Sequence, residues 1–302
     1  MEELKKDKLR EYIYNSELRV YNENIKVRLS PELAVKYDKG LYDNYLKYTS
    51  ECYELLLNLN LKYPSNAKPI YYLYIVPFDQ YVELLRFPDK FNNGTGGGKP
   101  VNCYDLDGFT YAFGISDNLC ENFIKEEKGI AYYENEIHEL SHLIHINFAK
   151  ETKILKEGLA ETIPLYILDL QKEYTSHTEA LIKLDEKQIL TAKELLEEEA
   201  NYTFGATEIL PNKTCSFRLS YISSYLFVRG CIKKIEEKYR INKIDSLQKF
   251  LEMLYLSNYI SVWLIFDIAD FLGLDREQLL TSKELQLSIL EDIKNEYNNG
   301  ER

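Results

Sequence analysis

The sequence predicts an α+β protein, with strands and helices mixed in its first half and helices alone in its second. Three observations carry this expectation. The runs rich in β-branched and aromatic residues end before residue 120, and apolar residues recur at helical spacing from about residue 131 onward. No internal repeat or low-complexity linker interrupts the 302 residues. That length suffices for one large domain or for two lobes meeting at a cleft. The expected lobes are residues 1–148, mixed, and 149–302, helical.

Taken in order, residues 25–29 and 68–76 read as strands, the latter as Lys68-Pro-Ile-Tyr-Tyr-Leu-Tyr-Ile-Val76. Between them lies a mostly helical stretch that Pro31 opens, because proline suits a first helical turn. Leu55, Leu56, Leu59 and Leu61 give its later part an apolar face, and Gly40 is a candidate break. A third strand, about residues 109–115, follows the glycine-rich loop from Asn92 to Pro100. That loop is no P-loop, because Asn93 replaces the first required glycine and Pro100 follows Lys99. It reads as a mobile surface loop. Helices are expected near 131–148, 153–170, 217–239, 245–257 and 281–297.

Composition excludes several classes. Hydrophobic residues at 45% and charged residues at 28% are ordinary globular proportions, so neither disorder nor a fibrous repeat is suggested. A net charge of -12 repels a phosphate backbone, and no basic stripe offsets it, so no nucleic-acid partner is expected. The charged amino terminus leads into no apolar signal region. The most apolar stretch, Tyr259 to Leu274, is broken by Asp267 and Asp270 and is shorter than the ~20 residues a bilayer span requires. It reads as a core helix, and no membrane partner is expected. Five cysteines without a CxxC pair suit reduced thiols in a cytoplasmic protein.

Chemistry concentrates at Glu136-Ile137-His138-Glu139-Leu140-Ser141-His142, where an HExxH motif lies in an apolar helical pattern. Three of the four histidines fall within residues 138–145. Residues four apart share a helix face, so His138 and His142 can offer two imidazole nitrogens to one Zn²⁺. Glu139, beside them, can take a proton from a zinc-bound water. His145 does not complete the HExxHxxGxxH pattern and suits packing, whereas His177 and the run Glu197-Glu198-Glu199 read as surface. A third ligand is then required. Ile154 to Glu161 sets Glu157 and Glu161 one helical turn apart, so one can ligate and the other can orient a ligand histidine. Gly158 and Ala160 between them permit close helix packing.

The HExxH motif and the segment Lys156-Glu-Gly-Leu-Ala-Glu161 together resemble the gluzincin peptidases, especially the peptidase-MA and aminopeptidase-N-like group. The resemblance implies a thermolysin-like zinc peptidase catalytic domain that hydrolyses peptide bonds in a peptide or protein substrate. It points to His138, His142 and Glu157 as metal ligands, Glu139 as general base and Glu161 behind the ligands. Counting by the spacing of the best-known members would select Glu161 as ligand instead. The helix Tyr221 to Arg229 is similar to a family helix that starts with a tyrosine and carries an arginine eight positions later. Tyr221 is thereby cast as oxyanion donor, with Tyr225 its substitute in a shifted register. The strand at 109–115 resembles the family's cleft-edge strand, which pairs with extended substrate. The family's tryptophan before the second motif is absent, as is the GxMEN motif of aminopeptidases, which favours an endopeptidase. Two other readings fit the same residues: a noncatalytic peptide-binding protein on this scaffold, and a zinc hydrolase of non-peptide substrates.

Overall fold

A computed structural model describes residues 8, 11–12, 14–63, 70–80, 99–103, 110–124, 136–144, 152–170, 181–201 and 219–299. The chain divides into two compact units, Met1–Asn58 with Asn66–Leu143, and Leu59–Ser65 with Ile144–Arg302.

The first unit is built on a mixed sheet. Strands β1 (Glu17–Val20), β2 (Ile25–Leu29), β3 (Tyr71–Val76), β4 (Lys99–Cys103) and β5 (Thr110–Ser116) lie in the order β1-β2-β3-β5-β4. The inner pairs β2·β3 and β3·β5 are parallel, whereas β1 and β4 run antiparallel to their neighbours. Every residue of β3, Tyr-Tyr-Leu-Tyr-Ile-Val, is buried. An uninterrupted apolar run is what a parallel strand covered on both faces requires.

The expected edge strand needs correction. β5 is flanked by β3 and β4, so the edge on that side is β4. Pro100 lies in β4 opposite Phe113, and a residue with no N–H is tolerated in a sheet chiefly on an edge strand. Its lysine and proline after a glycine run concealed β4 as a strand. β1, only four residues long and alternately half-buried and exposed, was equally unforeseen.

Helix α1 (Pro31–Asp38) starts on the proline, and α2 (Asp43–Leu57) follows a break at Gly40, whose φ of 73° is left-handed. A short helix α3 (Asp117–Glu121) is tied back to α1, because Lys36 Nζ donates to Asp117 at 3.0 Å and to Glu121 at 2.9 Å. Residues 136–144 form α4. The side chains of Tyr42, Tyr45, Leu46, Tyr71, Leu73, Ile137 and Leu140 are buried.

Helices dominate the second unit: α5 (Lys153–Thr162), α6 (Ala192–Ala200), α7 (Leu219–Tyr239), α8 (Lys243–Leu256), α9 (Val262–Leu272), α10 (Arg276–Thr281) and α11 (Glu284–Asn298). α7 is buried along most of its 21 residues, as a central helix must be. α5 lies so close to it that a Cβ on Gly158 would stand 2.6 Å from the Ser224 carbonyl oxygen. Past Thr162 the helix widens into a π turn, Ile163–Ile167, closed by Leu168 N–H donating to the Ile163 carbonyl at 2.9 Å. Pro164 accounts for the widening, having no N–H to give and a ring that crowds the carbonyl four residues back.

Among the described residues no helix is long and apolar enough to cross a membrane. The described cysteines Cys52, Cys120 and Cys231 are buried and unbridged. The glycine-rich loop before Lys99, His145 and His177 lie outside the described residues.

Candidate metal centre

α4 carries the HExxH motif. Its inward positions Ile137, Leu140, Leu143 and Ile144 are almost wholly buried, while His138 and Glu139 are partly exposed. His142 is buried, and its ring meets that of His138 edge to face, with centroids 5.0 Å apart. Ser141 Oγ donates to the Ile137 carbonyl at 2.6 Å, so that hydroxyl is satisfied within the helix.

The ligand-capable atoms of His138, His142 and Glu157 all lie within 4.8 Å of one another. Two nitrogens and a carboxylate oxygen are a donor set that suits zinc, and these are the donors grouped among the described residues. Ligands of a tetrahedral zinc, each about 2.1 Å from the ion, stand about 3.4 Å apart. The gap is within reach of side-chain rotation. Of the two glutamates left open by the sequence, Glu157 is the one grouped with the histidines. Glu161, one turn on along α5, is buried.

Two groups that the motif reading missed hold these helices. Glu136 is fully enclosed on the opposite side of α4 from His138, about 200° around the axis. Its carboxylate accepts from Thr49 Oγ1 at 2.8 Å, from Tyr45 Oη at 2.9 Å and from Tyr71 Oη at 3.5 Å. Burial pushes its pKa up to about 7 despite those three donors, which act to lower it. A carboxylate placed in line with Leu140 and Leu143 on an apolar stripe is the sequence signal that such donors exist. The second group is Glu199, read from sequence as part of a solvated face. Its Oε2 accepts from the Lys153 N–H at 3.1 Å, satisfying a donor in the first turn of α5 where Thr152 makes no side-chain cap.

On α7, Tyr221 is partly exposed whereas Tyr225 is fully buried. Arg229 Nη1 donates to Tyr225 Oη at 2.8 Å, and the guanidinium also lies 4.5 Å from the centre of the Tyr166 ring. The Tyr225 phenol is thus committed to a buried arginine, which distinguishes the two tyrosines that sequence left interchangeable.

No protein-family model matches the chain, and no curated protein matches it either. What the fold and the site define together is an α+β protein carrying a His-His-Glu group able to hold a metal ion.

Proposed function

We propose that the protein is a zinc-dependent metallopeptidase of the thermolysin-like gluzincin type, acting on a peptide or protein substrate. The observation that carries this reading is the grouping of Glu157 with His138 and His142, with Glu139 adjacent on the same helix. A structural zinc site is normally closed by four protein ligands. The three donors grouped among the described residues, beside a partly exposed carboxylate, suit a site that must admit water and substrate.

Zinc, when held there, supplies a Lewis acid that lowers the pKa of water toward neutrality and polarises a carbonyl. Glu139 then serves as general base, its carboxylate taking the water proton and returning it to the leaving amine nitrogen. Glu161 steadies the ligand set from the next turn of α5. Tyr221 donates its phenolic proton in a hydrogen bond to the oxygen that becomes negative as the carbonyl turns tetrahedral.

The test is Glu139→Gln, a near-isosteric change that leaves all three ligands in place. Metal content by elemental analysis should match the parent, and cleavage of a peptide library should all but vanish. Parent-rate cleavage by the variant would refute the role of Glu139. A parent protein that retains zinc and cleaves nothing would refute peptidase activity. Glu157→Ala should lower zinc affinity more than Glu161→Ala, whose loss should cost roughly 10 to 100-fold.

A further inference from the structure

Residues 253–266, from Met253 to Phe266, contain no Asp, Glu, Lys, Arg or His, where the chain-wide charged share of 28% would place about four. They form the end of α8, the connecting loop and the start of α9. The inner faces of both helices are filled: Phe250, Leu251, Leu254, Leu264, Ile265 and Ile268 are all buried. A second set of large apolar side chains on the same segment faces outward. Tyr255 is 52% exposed, Leu256 74%, Tyr259 54%, Ile260 59% and Trp263 57%.

This outward set is held in place. Ser257 Oγ donates to Asp267 Oδ2 at 2.5 Å and accepts from the Tyr259 N–H at 3.2 Å. Ser261 takes a left-handed φ of 56°, a strained conformation for a residue with a Cβ, and the strain falls between Ile260 and Trp263. Trp263 packs edge to face on Phe266, with ring centroids 5.7 Å apart, and 6.3 Å from Tyr259. Charge stands just outside the segment, at exposed Glu252 before it and at Asp267 and the ion pair of Arg276 with Asp270 after it.

We infer that the Tyr255–Trp263 face docks the protein on a neutral, phosphocholine-type lipid surface. Charge argues for this occupant: the face has none, and a chain of net charge -12 is repelled by an anionic membrane. Area argues for it as well. Five large side chains, each more than half exposed and each offering roughly 150–250 Å² in all, present about 500–600 Å². A stable protein interface buries ~800 Å² on each partner, so this face is small for a second copy of the chain. Lipid demands no complementary shape. Tyrosine and tryptophan with leucine and isoleucine between them match the interfacial layer, where an amphipathic ring lies at headgroup depth. The expectation of no membrane partner came from seeking a span, which surface docking does not need.

Trp263 is the only tryptophan of the chain, so emission excited selectively from tryptophan reports on this face alone. The protein is titrated with phosphatidylcholine vesicles and, separately, with vesicles enriched in phosphatidylserine. The expected result is a blue shift and protection from acrylamide on phosphatidylcholine, both weaker on the anionic vesicles at low salt. The double variant Leu256→Ser with Ile260→Ser should keep the parent's circular dichroism and metal content while partitioning about 10 to 100-fold more weakly. Emission unchanged at saturating phosphatidylcholine would overturn the inference. So would a lipid-independent blue shift that follows protein concentration together with a dimer mass in light scattering, which would assign the face to a second copy.

Discussion

Replacing Gly158 with alanine sets two opposing effects against each other in one helix. Alanine is the better helix former by about 1 kcal/mol in a helix interior, so propensity alone predicts a more stable protein. The added Cβ, however, would stand 2.5 Å from Val228 Cγ2 and 2.6 Å from the Ser224 carbonyl oxygen. Valine can turn; the carbonyl of a buried helix cannot. Relief therefore requires α5 to move off α7, and overpacking of this kind costs typically ~1–3 kcal/mol. Because the obstacle is backbone, the upper part of that range applies, leaving a net loss of about 1–2 kcal/mol. For a unit of this size that is a fall in melting temperature of roughly 2–8 °C. Urea unfolding followed by circular dichroism measures it, and the control is Gly230→Ala in α7. There the three atoms nearest the new Cβ, from 2.5 Å, all belong to the Leu285 side chain, which can rotate where a backbone carbonyl cannot, so the expected loss is smaller. Should Gly158→Ala unfold at higher urea than the parent, the close approach of α5 to α7 is wrong. Since Gly158 follows Glu157 directly, zinc affinity should fall in the same variant.

Glu136→Gln tests the cage behind α4 through pH. A carboxyl group whose pKa is raised to about 7 on folding favours the folded state while protonated. Its contribution is complete below the unfolded value near 4.5 and is lost as pH rises toward 7, by roughly 3 kcal/mol in all. In chelator-treated protein, the glutamine variant should lose that part of the slope between pH 5 and pH 8, and an unaltered slope would contradict the assignment. The two tyrosines of α7 should separate cleanly. Tyr225→Phe removes the acceptor for a buried guanidinium and should cost about 1.5–3 kcal/mol in unfolding experiments without changing zinc content. Tyr221→Phe should keep the fold and the zinc content and lower turnover by roughly 100 to 1,000-fold. If turnover instead tracks Tyr225, the buried phenol has been misassigned.

What sequence revealed and what it concealed differ in range along the chain. His138 with His142, and Glu157 with Glu161, are one turn apart on single helices, so helical spacing alone brings each pair to one face. The helical stretch from Pro31 and its interruption at Gly40 were legible for the same local reason. The cage around Glu136 was not, because Thr49, Tyr45 and Tyr71 come from 65 to 91 residues away, and no pattern within α4 names them. β4 was hidden by its proline, which signals a turn in isolation and an edge only once its neighbours are known. Residues 259–274 read correctly as helical at their core, but hydropathy cannot tell a buried tryptophan from an exposed one. Trp263 lies within that stretch, yet its helix keeps the interior for Leu264 and Ile265.

The π turn at Ile163–Ile167 sets the angular phase of the chain beyond α5. One residue inserted into a helix rotates everything beyond it by about 100° relative to an uninterrupted α-helix. Tyr166 lies inside the inserted turn, with its ring 4.5 Å from the Arg229 guanidinium and its hydroxyl donating to Glu236 at 2.7 Å. In the phase that a regular helix would keep, an isoleucine or leucine from the same segment would face that arginine instead of the phenol. The proline thus works as a spacer in rotation, not in length. Upstream it leaves Glu157 and Glu161 on an unbroken helical ladder, and downstream it turns an aromatic ring toward a buried positive charge.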